Sequence, residues 1–383
     1  MEKKDKNLNV PNLRFPEFSG EWEKALLNHY LEENKERNKK GVFTKNDVLS
    51  VSGDYGVVNQ IELLGRSFAG KSVLDYHVVR HGNIVYTKSP LKEYPYGIVK
   101  VNDGVDGIVS TLYAVYMTKE NVDGKFIENY FGLPSRTNRY FKPIVRIGAK
   151  HDIKIGNEEV LANYVIFPQL DEQKRISEFI SLLDQRIETQ KKIIEDLKKL
   201  KDAIRTKLFT SLESHCNEYD EIRNMLHYEQ PSAYLVNSTE YSEDYPTPVL
   251  TANKAFILGY TDEEQGVYDK GDCIIFDDFT MDLKYVTFPF KVKSSAIKIL
   301  TPRQNIDLYF IYEYLLYLGL VSEEHKRHYI SEIESMNIIH PQLKEQRQIS
   351  QALRSLEMQV GNAIALQNLL VKQKQHFLSR MFI

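Results

Sequence analysis

The stretch GRSFAGKS, Gly65 to Ser72, has the spacing of a loop that wraps nucleotide phosphates in backbone N–H groups. Farther along, CIIFDD, Cys273 to Asp278, has the form of an apolar strand whose terminal acid holds the nucleotide's magnesium. Together they would make a nucleotide hydrolase. His77 and His81, four apart, could share a metal, but no third ligand stands near them in sequence. Asp278, Asp282 and Lys284 loosely resemble a magnesium nuclease set, at a short spacing. No G-x-S-x-G elbow, Cys–His pair, G-x-G cofactor loop or Asn/Asp-Pro-Pro-aromatic methyltransferase motif occurs.

A phosphate loop must run straight into a helix whose N-terminus faces the anion. After Ser72 the chain instead reads Val73-Leu74-Asp75-Tyr76-His77-Val78-Val79, rich in β-branched residues and closed by Gly82. Internal repetition is a second objection. PQLDEQKRIS, Pro168 to Ser177, returns as PQLKEQRQIS, Pro341 to Ser350, an offset of 173 (341 minus 168). The match runs without a gap to Lys207-Leu208-Phe209 and Arg380-Met381-Phe382. Upstream, Glu21-Trp22-Glu23 matches Glu218-Tyr219-Asp220, VVRHGNIVY (Val78 to Tyr86) matches VYDKGDCII (Val267 to Ile275), and NVDGKFIENY (Asn121 to Tyr130) matches NIDLYFIYEY (Asn305 to Tyr314). In this alignment Lys88 and Ser89 stand where Asp277 and Asp278 stand. The two halves of the apparent nucleotide site therefore belong to neighbouring parts of one element in two different globes. GRSFAGKS reads instead as an exposed, glycine-loosened basic loop.

Each repeat ends in one long helix. Steps of four and three land on Ile176, Ile180, Leu183, Ile187, Gln190, Ile194, Leu197, Lys201, Ile204 and Leu208 in the first copy. In the second they land on Ile349, Leu353, Leu356, Val360, Ala363, Gln367, Leu370, Lys374, Phe377 and Met381. A seam of period 3.5 asks for a coiled-coil partner. Lys201 and Lys374 interrupt it at the same place, as register markers would. The expected layout is globe, rod, globe, rod: residues 1–166, 167–211, 212–339 and 340–383. The globes mix strand and helix patterns. VVRHGNIVYTK reads as two short strands around a Gly-Asn turn, and KFIENYFGL and LYFIYEYLLYLGL read as helices. The fold class is thus α+β, with two pseudo-repeated globes and two long helices forming an antiparallel coiled coil.

Composition adds bounds. The 383 residues are 42% hydrophobic and 27% charged, and the net charge is −3. That balance gives no global nucleic-acid signal, so local patches must carry one. Two cysteines, Cys216 and Cys273, exclude a disulfide framework. The N-terminal segment lacks an apolar signal core and no run approaches 18 apolar residues, so the cytoplasm is the expected compartment. Locally, Ser135 to Lys154 holds Arg136, Arg139, Lys142, Arg146, Lys150 and Lys154 against Asp152 alone. His325 to Tyr329, HKRHY, occupies the equivalent place before the second rod. Such patches suit phosphate contacts, with arginine available for guanine edges.

These features resemble the specificity subunit of type I restriction–modification enzymes. The resemblance rests on VPNLRFPEFSGEW (Val10 to Trp22), on Tyr76-x-Val-Val-x-x-Gly82-Asn-Ile-Val-Tyr86, on Gly107-Ile-Val-Ser110-Thr-Leu-Tyr113, and above all on the doubled Pro-Gln-Leu-x-Glu-Gln rod heads. The second globe departs from the third of these, with Ser294-Ser295-Ala296-Ile297 in its place. The resemblance implies two target-recognition domains, each reading half of a bipartite double-stranded DNA site, and paired helices acting as a spacer. It implies no catalysis and no cofactor in this chain. Two methyltransferase subunits would bring S-adenosylmethionine and methylate adenine N6, and motor–nuclease subunits would bring ATP and magnesium. On that reading the DNA contacts fall on Arg66, Lys71, Ser72, Lys88, Ser89, Lys92, Tyr94, Arg136, Arg139, Lys142, Lys150 and His151 in the first globe. In the second they fall on Asn253, Lys254, Lys284, Lys326, Arg327 and His328. The competing readings are a nucleotide hydrolase built on Gly65 to Ser72 and a coiled-coil scaffold that reads no DNA.

Overall fold

The computed structural model describes residues 9–70, 72–147, 153–251, 256–322 and 326–383. The chain forms two compact units, Met1–Gln190 with Leu366–Ile383, and Lys191–Ala365.

In the first unit a four-stranded antiparallel sheet runs in the order Leu31–Glu33, Ala114–Thr118, Ile84–Tyr86, Val99–Val101. Its central strands are β-branched and aromatic, and Ile84, Val85 and Tyr86 are all buried, because both faces are covered. One face packs on Phe126, Ile127 and Tyr130 of the helix Gly124–Tyr130 and on the rod residues Ile176, Ile180, Met381 and Phe382. The other meets Leu49, Val57, Val79 and Val109. The second unit repeats this order with Leu226–Glu229, Ile297–Pro302, Cys273–Asp277 and Leu283–Val286. The helix Leu308–Leu318 takes the place of Gly124–Tyr130. Phe209 meets Phe310 and Tyr314 at ring centroid distances of 5.6 and 5.1 Å. Its counterpart Phe382 meets Phe126 and Tyr130 at 5.1 and 6.3 Å.

The two short strands expected around the Gly82-Asn83 turn are present, but they belong to different sheets. The strands His77–Val79 and Ile84–Tyr86 flank Gly82 but do not pair as a hairpin. His77–Val79 pairs with Gly107–Val109, while Ile84–Tyr86 joins the four-stranded sheet. Gly82, at φ +82°, turns the chain out of one sheet and into the other, and Gly271, at φ +89°, takes the equivalent place before the strand Cys273–Asp277.

The long helices are Leu170–His215 and Leu343–Arg380. Every seam position is buried or half-buried, the fully buried ones including Ile180 and Leu353. In the first unit Phe179 packs edge-on against Phe377 at 4.9 Å and Asp184 pairs with Lys374. In the second unit Lys201 pairs with Glu357, and His215 with Glu345 at 3.1 Å. Rising numbers on one helix meet falling numbers on the other, so the pairing is antiparallel in each unit.

The doubled rod head fastens each globe. Gln173 donates to the Pro168 carbonyl at 2.9 Å and accepts from the Asp123 N–H at 3.0 Å. Asp123 caps its helix by accepting from the Phe126 N–H, and the Ser177 hydroxyl donates to the same carboxylate oxygen at 2.6 Å. In the second unit Gln346, Pro341, Asp307, Phe310 and Ser350 make the same bonds at 2.8, 2.9, 3.0 and 2.6 Å. Both glutamines are fully buried. Asp123→Ala and Asp307→Ala each remove a helix cap and leave a serine hydroxyl without its acceptor. Each should cost about 1–3 kcal/mol, read as a lowered unfolding midpoint in denaturant, with the Asn variants losing less.

His77 adds a pH dependence. It is only 1% exposed and its Nδ1 finds no partner among the described residues. Burial, with Arg37 and Lys88 nearby, pushes its pKa down to about 4. The unfolded chain, titrating near 6.5, binds the proton more readily. Stability is therefore full above about pH 6.5 and falls toward pH 4, by at most about 1.4 kcal/mol per pH unit from this group. Denaturant titrations of His77→Gln across that window should show a flatter profile than the parent.

Candidate nucleic-acid interface

The loop at Gly65 sits where no phosphate loop could work. It comes after the C-terminus of the short helix Gln60–Leu64, with Gly65 as the left-handed cap at φ +75°. The helix thus presents its carbonyl end to the loop, and the next regular element among the described residues is the strand His77–Val79. This geometry does not match that of a phosphate loop. The Asp278 carboxylate is engaged inside the globe. It is 1% exposed, accepts from the backbone N–H groups of His328 and Tyr329, and pairs with buried Lys298 at 3.2 Å.

The first globe's candidates separate into exposed and internal groups. Arg66 is exposed, its guanidinium 4.6 Å from the exposed Phe68 ring. Ser72 and Lys92 are exposed. Ser89 is half-buried and donates to the Thr87 carbonyl. Tyr94 is half-buried, with its hydroxyl on the Gly132 carbonyl at 2.8 Å. Lys88 turns inward at φ 48°, and its ammonium donates to the Ile155 carbonyl and the Asn157 side chain. Lys71, Lys150 and His151 lie outside the described residues.

Arg136 is a correction. It is 6% exposed and donates to the carbonyls of Tyr130 and Leu378 at 2.9 and 2.7 Å, beneath the Phe382 ring. Burial lowers its pKa to about 10, so it stays charged at neutral pH. It braces the end of the second rod against the globe and cannot meet a phosphate. The helix Pro134–Phe141 explains the split: Arg136, Thr137, Tyr140 and Phe141 face inward, while Arg139 and Lys142 face out.

In the second globe, Lys284 on the strand Leu283–Val286 and Arg327 are exposed. Lys326 is exposed and pairs with Glu332. His328 is a second correction. It is 2% exposed, with its ring between the Ser322 hydroxyl and the Glu332 carboxylate. Asn253, Lys254 and His325 lie outside the described residues.

A further basic loop lies outside the residues expected from sequence. KERNKKGVFTK, Lys35 to Lys45, has five cations against one carboxylate. Lys39, Lys40 and Lys45 are exposed, and Lys39 pairs with Asp75 beside the 65–72 loop. Local charge along the whole chain, rather than before the rods alone, is the signal that marks it.

Arg136→Ala should lower stability by about 2–3 kcal/mol, because it strips two buried carbonyls of their donor. An unfolding curve checks it. A variant with unchanged stability would return Arg136 to the candidate contacts.

No family profile matches the chain. The type I restriction enzyme EcoR124I/EcoR124II specificity subunit of Escherichia coli is 46% identical over 117 residues, 29% of each chain. A protein provisionally assigned as the type I restriction enzyme MjaX specificity subunit of Methanocaldococcus jannaschii is 25% identical over 230 residues. That match covers 50% of this chain and 51% of the other. The matched segments thus span under a third and about half of these two relatives. The crystal structure of a type I restriction–modification system S subunit from M. genitalium superimposes with a TM-score of 0.60 at 15% identity. It covers 98% of this chain and 99% of that one. The curated homologues are specificity subunits of type I restriction enzymes, and this chain carries the fold of such a subunit over nearly its whole length.

Proposed function

We propose that this chain is the non-catalytic DNA-recognition subunit of a type I restriction–modification complex. Each globe reads one half of a bipartite double-stranded site, and the rods belong to a spacer that also offers surface to two methyltransferase subunits. Those partners supply S-adenosylmethionine and methylate adenine N6. Motor–nuclease partners supply ATP and magnesium for restriction, and the complex works in the cytoplasm. The observation that carries this reading is the doubling itself. Two globes with one sheet order and one rod-head lock differ in the loops they expose, as two readers of unlike sequences should.

Among the first globe's residues, Arg66, Ser72, Lys92, Arg139 and Lys142 remain the proposed contacts on described surface. Lys284, Lys326 and Arg327 remain in the second. Mapping N6-methyladenine across the host genome with and without the gene tests the function. Loss of methylation at one bipartite motif is the expected result. An unchanged map, with the methyltransferase expressed and co-purifying with this chain, would favour a scaffold that reads no DNA.

A further inference from the structure

Residues 38–47 of the first globe are stapled to residues 65–70 and 72–73 by three side-chain amides. Asn38, 2% exposed, donates to the carbonyls of Phe43 and Val73 at 2.8 and 3.2 Å and accepts from the Phe43 N–H at 3.0 Å. Asn59 donates to the Asn46 carbonyl at 2.7 Å. Gln60 accepts from the Phe68 N–H at 2.6 Å and donates to Ser50 at 3.0 Å. Beneath them Phe43 and Ala69 pack on one apolar cluster, with Val48, Val73, Val78 and Ile108. Gly107 completes the seat. A Cβ there would lie 2.6 Å from the Asp47 carbonyl, so the strand Gly107–Val109 and the turn Lys45–Asp47 meet with no room for a methyl.

This construction holds cations outward. Lys40 and Lys45 are exposed and form no ion pair among the described residues. Arg66 is held against Phe68, which leaves its N–H edge open to solvent. Val42 and Phe68 are 71% and 58% exposed between them in the two loops, an unusual place for large apolar groups unless a partner covers them. An extended polyanion with apolar faces suits the arrangement: phosphates for Lys40, Lys45 and Arg66, and sugar or base surfaces for Val42 and Phe68.

We propose that residues 38–47, 65–70 and 72–73 form a preorganised DNA-gripping surface of the first globe, with Lys40, Lys45 and Arg66 as phosphate contacts and Asn38, Asn59 and Gln60 as positioning residues. It rests on the reading of the chain as a DNA-recognition subunit. Because Phe43, Asn46, Phe68 and Val73 are already held by these amides, binding spends little on ordering the segments around them.

The test compares the full chain, in complex with its methyltransferase, with the same complex carrying Lys40→Gln, Lys45→Gln and Arg66→Gln. The probe is a mixed-sequence DNA duplex, and affinity is measured across a salt series. Each phosphate left without its cation should lower the slope of log K against log salt by about 0.9, so the triple variant should show a slope smaller by about 2.7. Its unfolding midpoint should not move, since all three side chains are exposed. A control with Lys24→Gln, Lys270→Gln and Lys293→Gln, exposed on the globes away from these loops and from the rods, should keep the parental slope. An unchanged slope in the loop variant, with the parent still binding, overturns this surface and leaves the functional reading standing. An equal fall in the control overturns it too, because any three cations would then serve. A parental complex that binds no duplex overturns both.

Discussion

One aspartate at the head of a short helix holds each globe to its rod, and the repeat is built around it. Asp123 and Asp307 place a carboxylate at a helix N-terminus, where the backbone N–H groups and the helix dipole favour it. The same oxygen takes a serine hydroxyl from the rod, and the aspartate's own N–H goes to a buried glutamine. That glutamine must both accept and donate, because its amide also meets a proline carbonyl. Glutamate would lose the donor, and a shorter amide would not span the gap. The proline, glutamine and serine of the doubled segment are therefore parts of one joint. With the joint satisfied internally, the exposed loops are free to differ.

The rods and their doubled heads were legible because they obey short-range rules. A seam at period 3.5 follows from helix geometry alone, and a segment written twice shows which letters matter. The exposure of long cations was not legible in the same way. Arg136 sits among basic residues, and net charge counts it with them. Only the helical period of residues 134–141 separates it from Arg139, three residues on and facing solvent. His328 was lost for a different reason: its burial depends on Asp278, fifty residues away in sequence, which draws the backbone inward. Strand pairing was the third gap. Residues 77–86 have the look of a hairpin, but which strand a segment pairs with depends on residues 107–109 and 114–118, far outside the window.

The two globes share a scaffold but spend their charge differently. In the first, exposed cations gather on loops stapled to the sheet. In the second, several cations are spent inside. Lys291 and Lys298 are each 2% exposed and paired with Glu263 and Asp278. Glu313, fully buried on the helix Leu308–Leu318, meets Lys201 at 2.8 Å and Arg205 at 2.7 Å. Burial opposes its ionisation, but hydrogen bonds from Lys201, Tyr309 and Arg205 outweigh that and hold its carboxyl below the ordinary value. Breaking such a set is costly, whereas its net contribution to stability is small. Its value lies in what it forbids.

The forbidden motion is slippage. A seam of period 3.5 would pack almost as well after a slide of one heptad, since apolar residues recur every seven positions. The lysines at the break would not. Lys201 opposite Glu357 and Lys374 opposite Asp184 are counterparts in the repeat, and each pairs across to the other helix. Moved by seven residues, Lys201 would face Ser350 or Ile364, and Lys374 would face Ser177 or Lys191. Neither slide offers a carboxylate at those positions. The exposed pair at Lys374 contributes at most about 1 kcal/mol to stability. The buried one at Lys201 also answers to Glu313, so a slide would strand a charge within the core of its unit. Two charged interruptions in largely apolar seams thus do what further leucines could not: they make one register better than its neighbours, and with it they fix where each rod head stands against its globe.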